Sequence, residues 1–500
     1  MDMPGAYAAV VLTGSECRAL ADAFTAHDYR VDAVIELVGD EAHRALSRNS
    51  TVPAVRALET RDDPLTTLTR LWPLQQAVDR AFVDQAVPGL REPLLAAGIL
   101  IEHGDRVRAA IDIRPYASDQ GEFWVASDLT PNLDTFTAPI RPDHVLGVSA
   151  ASATLAQLTL RHPLNSALDL GTGCGVQSLH LARHSGRVVA TDLNPRALQL
   201  ARLTFGINST TVDLRLGDLY RPVADERFDL IVANPPYVMS PPGAARLTYR
   251  EGHAVADTLV ESVVTEGAAH LADGGVLQVL ANWAHVRGED WTDRVGGWIT
   301  ATRCDAHVVQ REVLDPYAYI EVWLADAGLA GSAGYTARYR AWCDYFDRLR
   351  IEAVGLGWLV LRNAGRAQPR VRIEDWPHPL EQPIGPTLSA ELDAIDRLVG
   401  MLDEQLLQSR WRLAEDVIEE TTGIPGQPDP QRIVLRQQRG FRRATAVDTA
   451  TAGILGACDG ELTLNEIIAA VSGLVAADPA ALTHETVPRV RELVLDGFLH

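Results

Sequence analysis

At 500 residues with 47% apolar composition, the chain is too long for one ordinary hydrophobic core, and two or three domains are expected. Its formal net charge of -21 disfavours broad, nonspecific attraction to nucleic acid, although a local basic groove is compatible with it. All 45 basic residues are arginines, which excludes Schiff-base chemistry and lysine general bases. The five cysteines (Cys17, Cys174, Cys304, Cys343 and Cys458) are scattered without Cys-x-x-Cys pairs, so neither structural zinc nor a disulfide framework is expected. No apolar stretch reaches transmembrane length and Met1-Asp2-Met3-Pro4 lacks the basic start of a signal peptide, so the expected setting is the cytoplasm, with no membrane partner.

Helical periodicity runs through Ser15–Thr25, Val31–Leu37 and Thr67–Phe82, with proline and acidic clusters between. Leu90–Leu100 reads as a short helix, and Ile101–Ile113 as a ribbon turning at His103-Gly104-Asp105. Glu122–Ala126 adds a further strand. A helix followed by a small ribbon has a winged-helix-like outline, suited to binding a partner or to forming a passive lid. Pro131–Pro142 is proline-rich and reads as a linker, which bounds an N-terminal domain at 1–142. Val145–Leu160 returns to a helical pattern containing Gly147-Val148-Ser149.

The most informative stretch follows. Ala167–Leu170 is a buried parallel strand running into the turn Gly171-Thr172-Gly173-Cys174-Gly175, and Val176–His184 continues as a helix. Such a turn lets the backbone approach a ligand, and the next helix presents free N–H groups. Arg187–Leu193 is a second strand ending in Thr191-Asp192-Leu193, about 20 residues beyond the glycines, where a carboxylate bonds ribose hydroxyls. A third strand, Val212–Leu216, ends in Gly217-Asp218-Leu219, and a fourth, Phe228–Ala233, ends in Asn234-Pro235-Pro236-Tyr237. Polar groups thus stand at the carboxyl ends of four strands, where open α/β sheets bind ligands.

The Asn234 carboxamide oxygen and the Pro235 carbonyl are two hydrogen-bond acceptors side by side at a strand end, and Tyr237 offers an aromatic face. Cys174 fills space in the loop rather than acting as a thiolate.

These residues resemble the class I S-adenosylmethionine-dependent methyltransferases. Asp169-Leu170-Gly171-Thr172-Gly173-Cys174-Gly175 is similar to their first motif, and Asn234-Pro235-Pro236-Tyr237 to that of the subgroup methylating planar NH2 groups, which includes release-factor glutamine and nucleobase N-methyltransferases. The resemblance spans roughly 146–313. It implies a Rossmann-like α/β sheet with S-adenosyl-L-methionine held by Asp169, Gly171, Thr172, Gly173, Cys174, Gly175, Asp192, Leu193, Asp218, Leu219 and Asn234. Asn234, Pro235, Pro236 and Tyr237 would form the catalytic loop, and Asp218 would stand near the adenine amino group.

Downstream, a helix over Ala254–Leu271, strand Val276–Ala281, helix Trp291–Ala301 and strand Ala306–Val313 continue the domain. Asp315-Pro316 caps a helix over Tyr317–Ala327, with a strand at Tyr319–Trp323 as the alternative. Tyr335–Arg350 is helical, and Ile351–Leu361 and Val371–Ile373 are strands that finish the sheet. His253, His270, Asn282 and Trp283 are weaker acceptor-site candidates. The catalytic domain is bounded at 143–380 and a C-terminal domain at 381–500. The latter begins with an amphipathic helix, Leu388–Leu407, followed by an arginine-rich hairpin, Arg432–Arg436 and Phe441–Thr445. Three short helices, Ala450–Leu455, Leu464–Val471 and Val487–Leu495, complete a second winged-helix-like outline.

The expected function is methyl transfer to a planar NH2 group of a macromolecule, with a protein glutamine amide slightly ahead of an RNA or DNA base amine. A small-molecule methyltransferase and a non-catalytic cofactor-binding scaffold are the other readings.

Overall fold

The computed structural model describes residues 10–131, 133–134, 141–242, 255–329, 332–425 and 430–500. They form two compact units, one extending to Ala156 and resuming at His162–Trp376, the other comprising Gln157–Arg161 and Pro377–His500.

The first unit is built on eight strands: β1 (Leu164–Leu170), β2 (Ser185–Asp192), β3 (Asp213–Leu216), β4 (Phe228–Ala233), β5 (Leu271–Val286), β6 (Asp305–Leu314), β7 (Ile351–Arg362) and β8 (Val371–Asp375). Their spatial order is β3-β2-β1-β4-β5-β7-β6-β8. Strands β3 to β5 run parallel, whereas β7 is antiparallel to both neighbours. In β4, Leu230, Ile231, Val232 and Ala233 are all fully buried, as a strand covered on both faces requires. Gly357 of β7 answers a steric demand, since a Cβ there would lie 1.9 Å from the Val309 carbonyl oxygen. Helices α1 (Val176–Leu181), α2 (Pro195–Ile207), α3 (Thr258–Gly267), α4 (Trp291–Thr302), α5 (Pro316–Asp326) and α6 (Tyr335–Leu349) belong to this unit. Helix α5 takes the capped form: the Asp315 carboxylate accepts from the backbone N–H groups of Tyr317 and Ala318.

The N-terminal segment shares a core with the catalytic sheet's outer helix. Phe24, Tyr29, Trp72 and Phe123 belong to one apolar cluster with Leu200, Leu203 and Phe205 of α2. Strand Gly121–Ser127 pairs with Asp112–Ser118 rather than with the ribbon Leu100–His103/Arg106–Ala109, and it lies against α2. There the Ala126 N–H donates to Thr204 Oγ1 at 3.0 Å and the Trp124 N–H to Asn208 Oδ1 at 3.0 Å. Buried Asp128 accepts from Arg196 Nε through both oxygens, at 2.9 and 3.0 Å, and from the Val145 N–H at 2.8 Å.

Several expected elements differ. The helix expected over Thr67–Phe82 is instead Pro64–Leu71, a two-residue strand Val78–Asp79 and Arg80–Ala86. Pro73 and the left-handed Gln75 (φ 51°) stop the first turn sequence. Similarly, Leu388–Leu407 is two helices, Gly385–Leu398 and Asp403–Gln408, parted at Gly400, whose φ of 74° ends the first. Ala254 lies outside the described residues, and α3 gives way to a 3₁₀ turn at Ala268–His270. Parts of the Pro131–Pro142 stretch likewise lie outside the description.

In the second unit, strands Val417–Thr422, Arg432–Gln437 and Ala444–Val447 make an antiparallel sheet, with helices Thr449–Gly456, Leu464–Val475 and Pro479–Leu495 around a core containing Trp411, Ile468 and Phe498. The hairpin is wider than expected, since pairing ends at Arg436 with Ala444. Its arginines do not form one basic face: Arg436 pairs with Glu420 at 2.9 Å, and Arg443 is buried over the Phe441 ring.

The turn after β1 is held from beneath. Buried Asp169 accepts through Oδ2 from Thr172 Oγ1 at 2.6 Å, from Ser178 Oγ at 2.7 Å and from the Ser178 N–H at 3.1 Å, tying the loop to α1. Burial pushes its carboxyl up to about 6 from an ordinary 3.8. The folded protein therefore holds this proton more tightly than the unfolded chain, so stability falls as the pH rises from 3.8 to about 6, the penalty being absent below that window and complete above it. Lowering the pH from 7 to 5 should stabilise the native protein by about 1 kcal/mol relative to Asp169→Asn, read from denaturant unfolding. By the same assay, Asp128→Ala, which strands buried Arg196, should cost about 3–5 kcal/mol.

Candidate active site

The sheet register gathers the chemistry-bearing turns. Leu170 pairs with Thr191 on one side and with Ala233 on the other, so the residues that follow each of the three strands open at one edge. The N–H groups of Gly171 and Thr172 both donate to the Thr191 carbonyl at 2.9 Å, and the Gly217 N–H donates to the Asp192 carbonyl at 3.0 Å. A cavity of about 540 Å³ lies along this edge, within the usual range for small-molecule sites.

Of the residues expected to hold the cofactor, Asp169, Gly171, Thr172, Gly173, Cys174, Asp192, Leu193, Asp218, Leu219 and Asn234 line this cavity. Gly171 and Gly173 have φ of 77° and 55°, and a Cβ on either would meet nothing within 4 Å, so the backbone is bare toward open space. Gly175 does not line it. A Cβ there would lie 2.7 Å from the Phe205 ring, so this glycine serves close packing of the turn on α2.

The Asp192 carboxylate joins two loops. Its Oδ2 accepts from the Gly173 N–H at 2.9 Å and its Oδ1 from the Asn194 N–H at 2.8 Å, while burial raises its carboxyl above the ordinary value. Asn194 in turn donates through Nδ2 to the Asp143 carbonyl at 2.9 Å and accepts from the Arg196 N–H. Burial pushes the Cys174 thiol up to about 11, so it stays protonated and fills space.

Asn234, Pro235 and Pro236 line the cavity. The Asn234 side chain has no hydrogen-bond partner among the described residues, and it is only partly buried. Tyr237 is not part of the lining; its ring packs edge-on to Trp323 at 6.3 Å between centroids. The loop is fixed just beyond it, where the Met239 N–H donates to the Tyr319 hydroxyl at 3.0 Å. Asn282 is fully buried and donates to that same hydroxyl at 2.9 Å, which makes it a support behind the loop rather than a lining residue.

The remaining candidates are structural or undescribed. Trp283 is core, donating to Gln310 Oε1, and His270 stacks on Tyr220 at 4.7 Å. His253 lies outside the described residues. Lining residues not anticipated include His144, Ser152, Gln177, Leu259 and Val263. The four-residue spacing of Leu259 and Val263 marks a helix face, but nothing in it distinguishes a cavity wall from core. Among the described residues no cluster of metal-ligating groups occurs, and no helix is long and apolar enough to cross a membrane.

The bare glycine backbone, a carboxylate at the end of β2 and apolar Leu193, Leu219 and Val263 fit a ligand with a hydroxylated polar body and an apolar ring. Residues 147–290 match the model described as the methyltransferase small domain. Residues 26–110 and 396–500 match models described as domains of unknown function. Curated relatives include the ribosomal RNA small subunit methyltransferase C of Salmonella arizonae and of Escherichia coli O7:K1, each 28% identical over 138 residues, or 27% of this chain. This chain spans 36% of the length of those relatives. Similar solved structures include a 16S rRNA methyltransferase of T. thermophilus in complex with AdoMet and guanosine, with 19% identity, a TM-score of 0.28, and coverage of 47% of this chain and 60% of that one. A putative methyltransferase of Bacillus halodurans has 17% identity, a TM-score of 0.29, and coverage of 43% of this chain and 99% of that one. By the family match over the same residues, 147–290 form a class I S-adenosylmethionine-dependent methyltransferase domain.

Proposed function

We propose that the protein transfers a methyl group from S-adenosylmethionine to the exocyclic NH2 of an RNA base. The observation that carries this reading is the Asn234 carboxamide, unpartnered among the described residues and lining the same cavity as the bare Gly171–Gly173 backbone. Bound there, the cofactor supplies an electrophilic methyl on a positively charged sulfur. Asp192 accepts from the ribose hydroxyls, and the Gly171 and Gly173 backbone lets the cofactor lie close. Asp218 lines the same cavity, and in this reading it accepts from the adenine amino group.

Asn234 Oδ1 and the Pro235 carbonyl each accept one N–H of the acceptor. Both protons are then held in one plane, and the lone pair is turned out of conjugation toward the methyl. As the new N–C bond forms and the C–S bond breaks, positive charge develops on nitrogen next to these two oxygens, where preorganised dipoles stabilise it most. One nitrogen proton then leaves to solvent, and no strong base is needed. Pro235 and Pro236 stiffen the loop.

The RNA base now stands ahead of the protein glutamine amide because the curated relatives are named for ribosomal RNA, and because no observation favours the amide beyond the overall acidity. The dispersed arginines of Arg432–Arg443 lend the RNA reading no support. We read the flanking helix-and-ribbon segments as winged-helix-like modules that present the acceptor, and 1–142, 143–380 and 381–500 as the functional division of the chain.

Tritiated methyl transfer into total RNA and into protein, separated by nuclease and protease treatment, tests the acceptor; label confined to protein would transfer the assignment to the amide. Asn234→Ala should lower kcat about 10²–10³-fold while leaving S-adenosylmethionine affinity by calorimetry within about threefold. Asp192→Ala should do the opposite, weakening that affinity about 10–100-fold through the loss of charged hydrogen bonds.

A further inference from the structure

A second cavity, also about 540 Å³, lies in the N-terminal segment, away from the residues of the methyltransferase domain. Its walls come from the end of the helix Pro64–Leu71, the turn 75–79, the helix Arg80–Ala86 and the strand Arg106–Ala109. Three arginines, Arg70, Arg106 and Arg108, line it against a single carboxylate, Asp79. In a chain of net charge -21, that is a local inversion of sign.

The state of these groups points to a ligand. Arg70 is half-buried and donates to the Leu58 carbonyl at 2.6 Å, yet it has no carboxylate partner among the described residues. That leaves most of its five donors uncommitted. Arg106 meets Asp79 only at 3.6 Å, with both side chains more than half exposed, which is a weak pairing.

Gln75 supplies an independent signal. Neither its side-chain nitrogen nor its oxygen has a hydrogen-bond partner among the described residues, and its backbone is left-handed at φ 51°. An unmet amide and a non-glycine residue held in that region are each unfavourable, and such departures concentrate where a site is being shaped. Phe82, half-buried in the same wall, offers an aromatic face.

We propose that this cavity binds a phosphate-bearing nucleotide. The guanidinium groups of Arg70 and Arg106 take the phosphate, the Gln75 carboxamide pairs with the hydrogen-bonding edge of the base, and Phe82 stacks on it. The same chemistry is presented by a residue within a single-stranded RNA and by a free mononucleotide. This site is separate from the methyl-transfer cavity and does not depend on the reading given for it.

The test uses the full chain saturated with S-adenosylmethionine. Two probes, a short fluorescein-labelled single-stranded RNA and guanosine 5′-monophosphate, are titrated into the wild type, Arg70→Met and Gln75→Gly. Methionine keeps most of the arginine stem, and glycine adopts φ 51° freely, so both variants should fold and retain S-adenosylmethionine affinity. A tenfold or greater loss for either probe in both variants, with that affinity unchanged, supports the site. Loss for the RNA alone identifies a single-stranded RNA as the source, and loss for the mononucleotide identifies a free ligand. For the RNA, Arg70→Met should also reduce the slope of log affinity against log salt by about one. Equal binding by the variants, or no binding of either probe to the wild type, overturns the proposal while leaving methyl transfer to be judged by its own assay.

Discussion

The site depends on the pairing of three parallel strands in one register. Because Leu170 stands beside both Thr191 and Ala233, the glycine turn, the Asp192 loop and the Asn234 loop all leave the sheet at the same level. A shift of one residue in any strand would also turn its side chains to the opposite face, and the continuous burial of β4 resists that. The chemistry is thus positioned by backbone hydrogen bonds and by apolar packing on both faces, not by the loops themselves. What the loops add is local: the Thr191 carbonyl receives two N–H groups of the turn, and Asp169 clamps that turn to its helix.

Support for the Asn-Pro-Pro-Tyr loop comes from farther along the chain. The Tyr319 hydroxyl receives hydrogen bonds from Met239, just past the Asn-Pro-Pro-Tyr loop, and from Asn282 at the end of β5. Tyr319 is itself packed among Trp342 and Phe346. Burial raises the Tyr319 phenol well above its ordinary value, so it remains a neutral hydroxyl in this role. The strand β7, running against its neighbours, brings α6 back beside this cluster and gives the loop an aromatic backing.

Much of this could be read from the amino acids in order. The glycine turn, Asp192, Asp218 and Asn234 are signalled by spacing along four consecutive strands, and local spacing is what a sequence displays. The cap at Asp315 was legible for the same reason. Asn282 was noticed as a polar residue at a strand end, but only its burial against Tyr319 reveals its job. The helix expected across Thr67–Phe82 fails because periodicity carries through Trp72–Gln76, whereas the left-handed Gln75 backbone does not. The strand Val417–Thr422 lies on an edge with five of its six residues exposed, so it shows none of the alternation by which a strand is found. Nor did any pattern indicate that Phe24 and Phe205 share a core, since such contacts join segments far apart in sequence.

The link through Asn194 makes the two ends of the first unit interdependent. Asp128 holds Arg196, the Arg196 backbone holds Asn194, and Asn194 grips both the Asp143 carbonyl and the Asp192 carboxylate. A fragment cut after residue 142, where composition suggests a boundary, would keep the complete glycine turn yet lose Asp128, the N-terminal segment's apolar packing on α2 and the anchor of this relay. Ordering of the amino-terminal segment is therefore coupled to the hold on the Asp192 carboxylate, and by reciprocity whatever grips that carboxylate also steadies the segment.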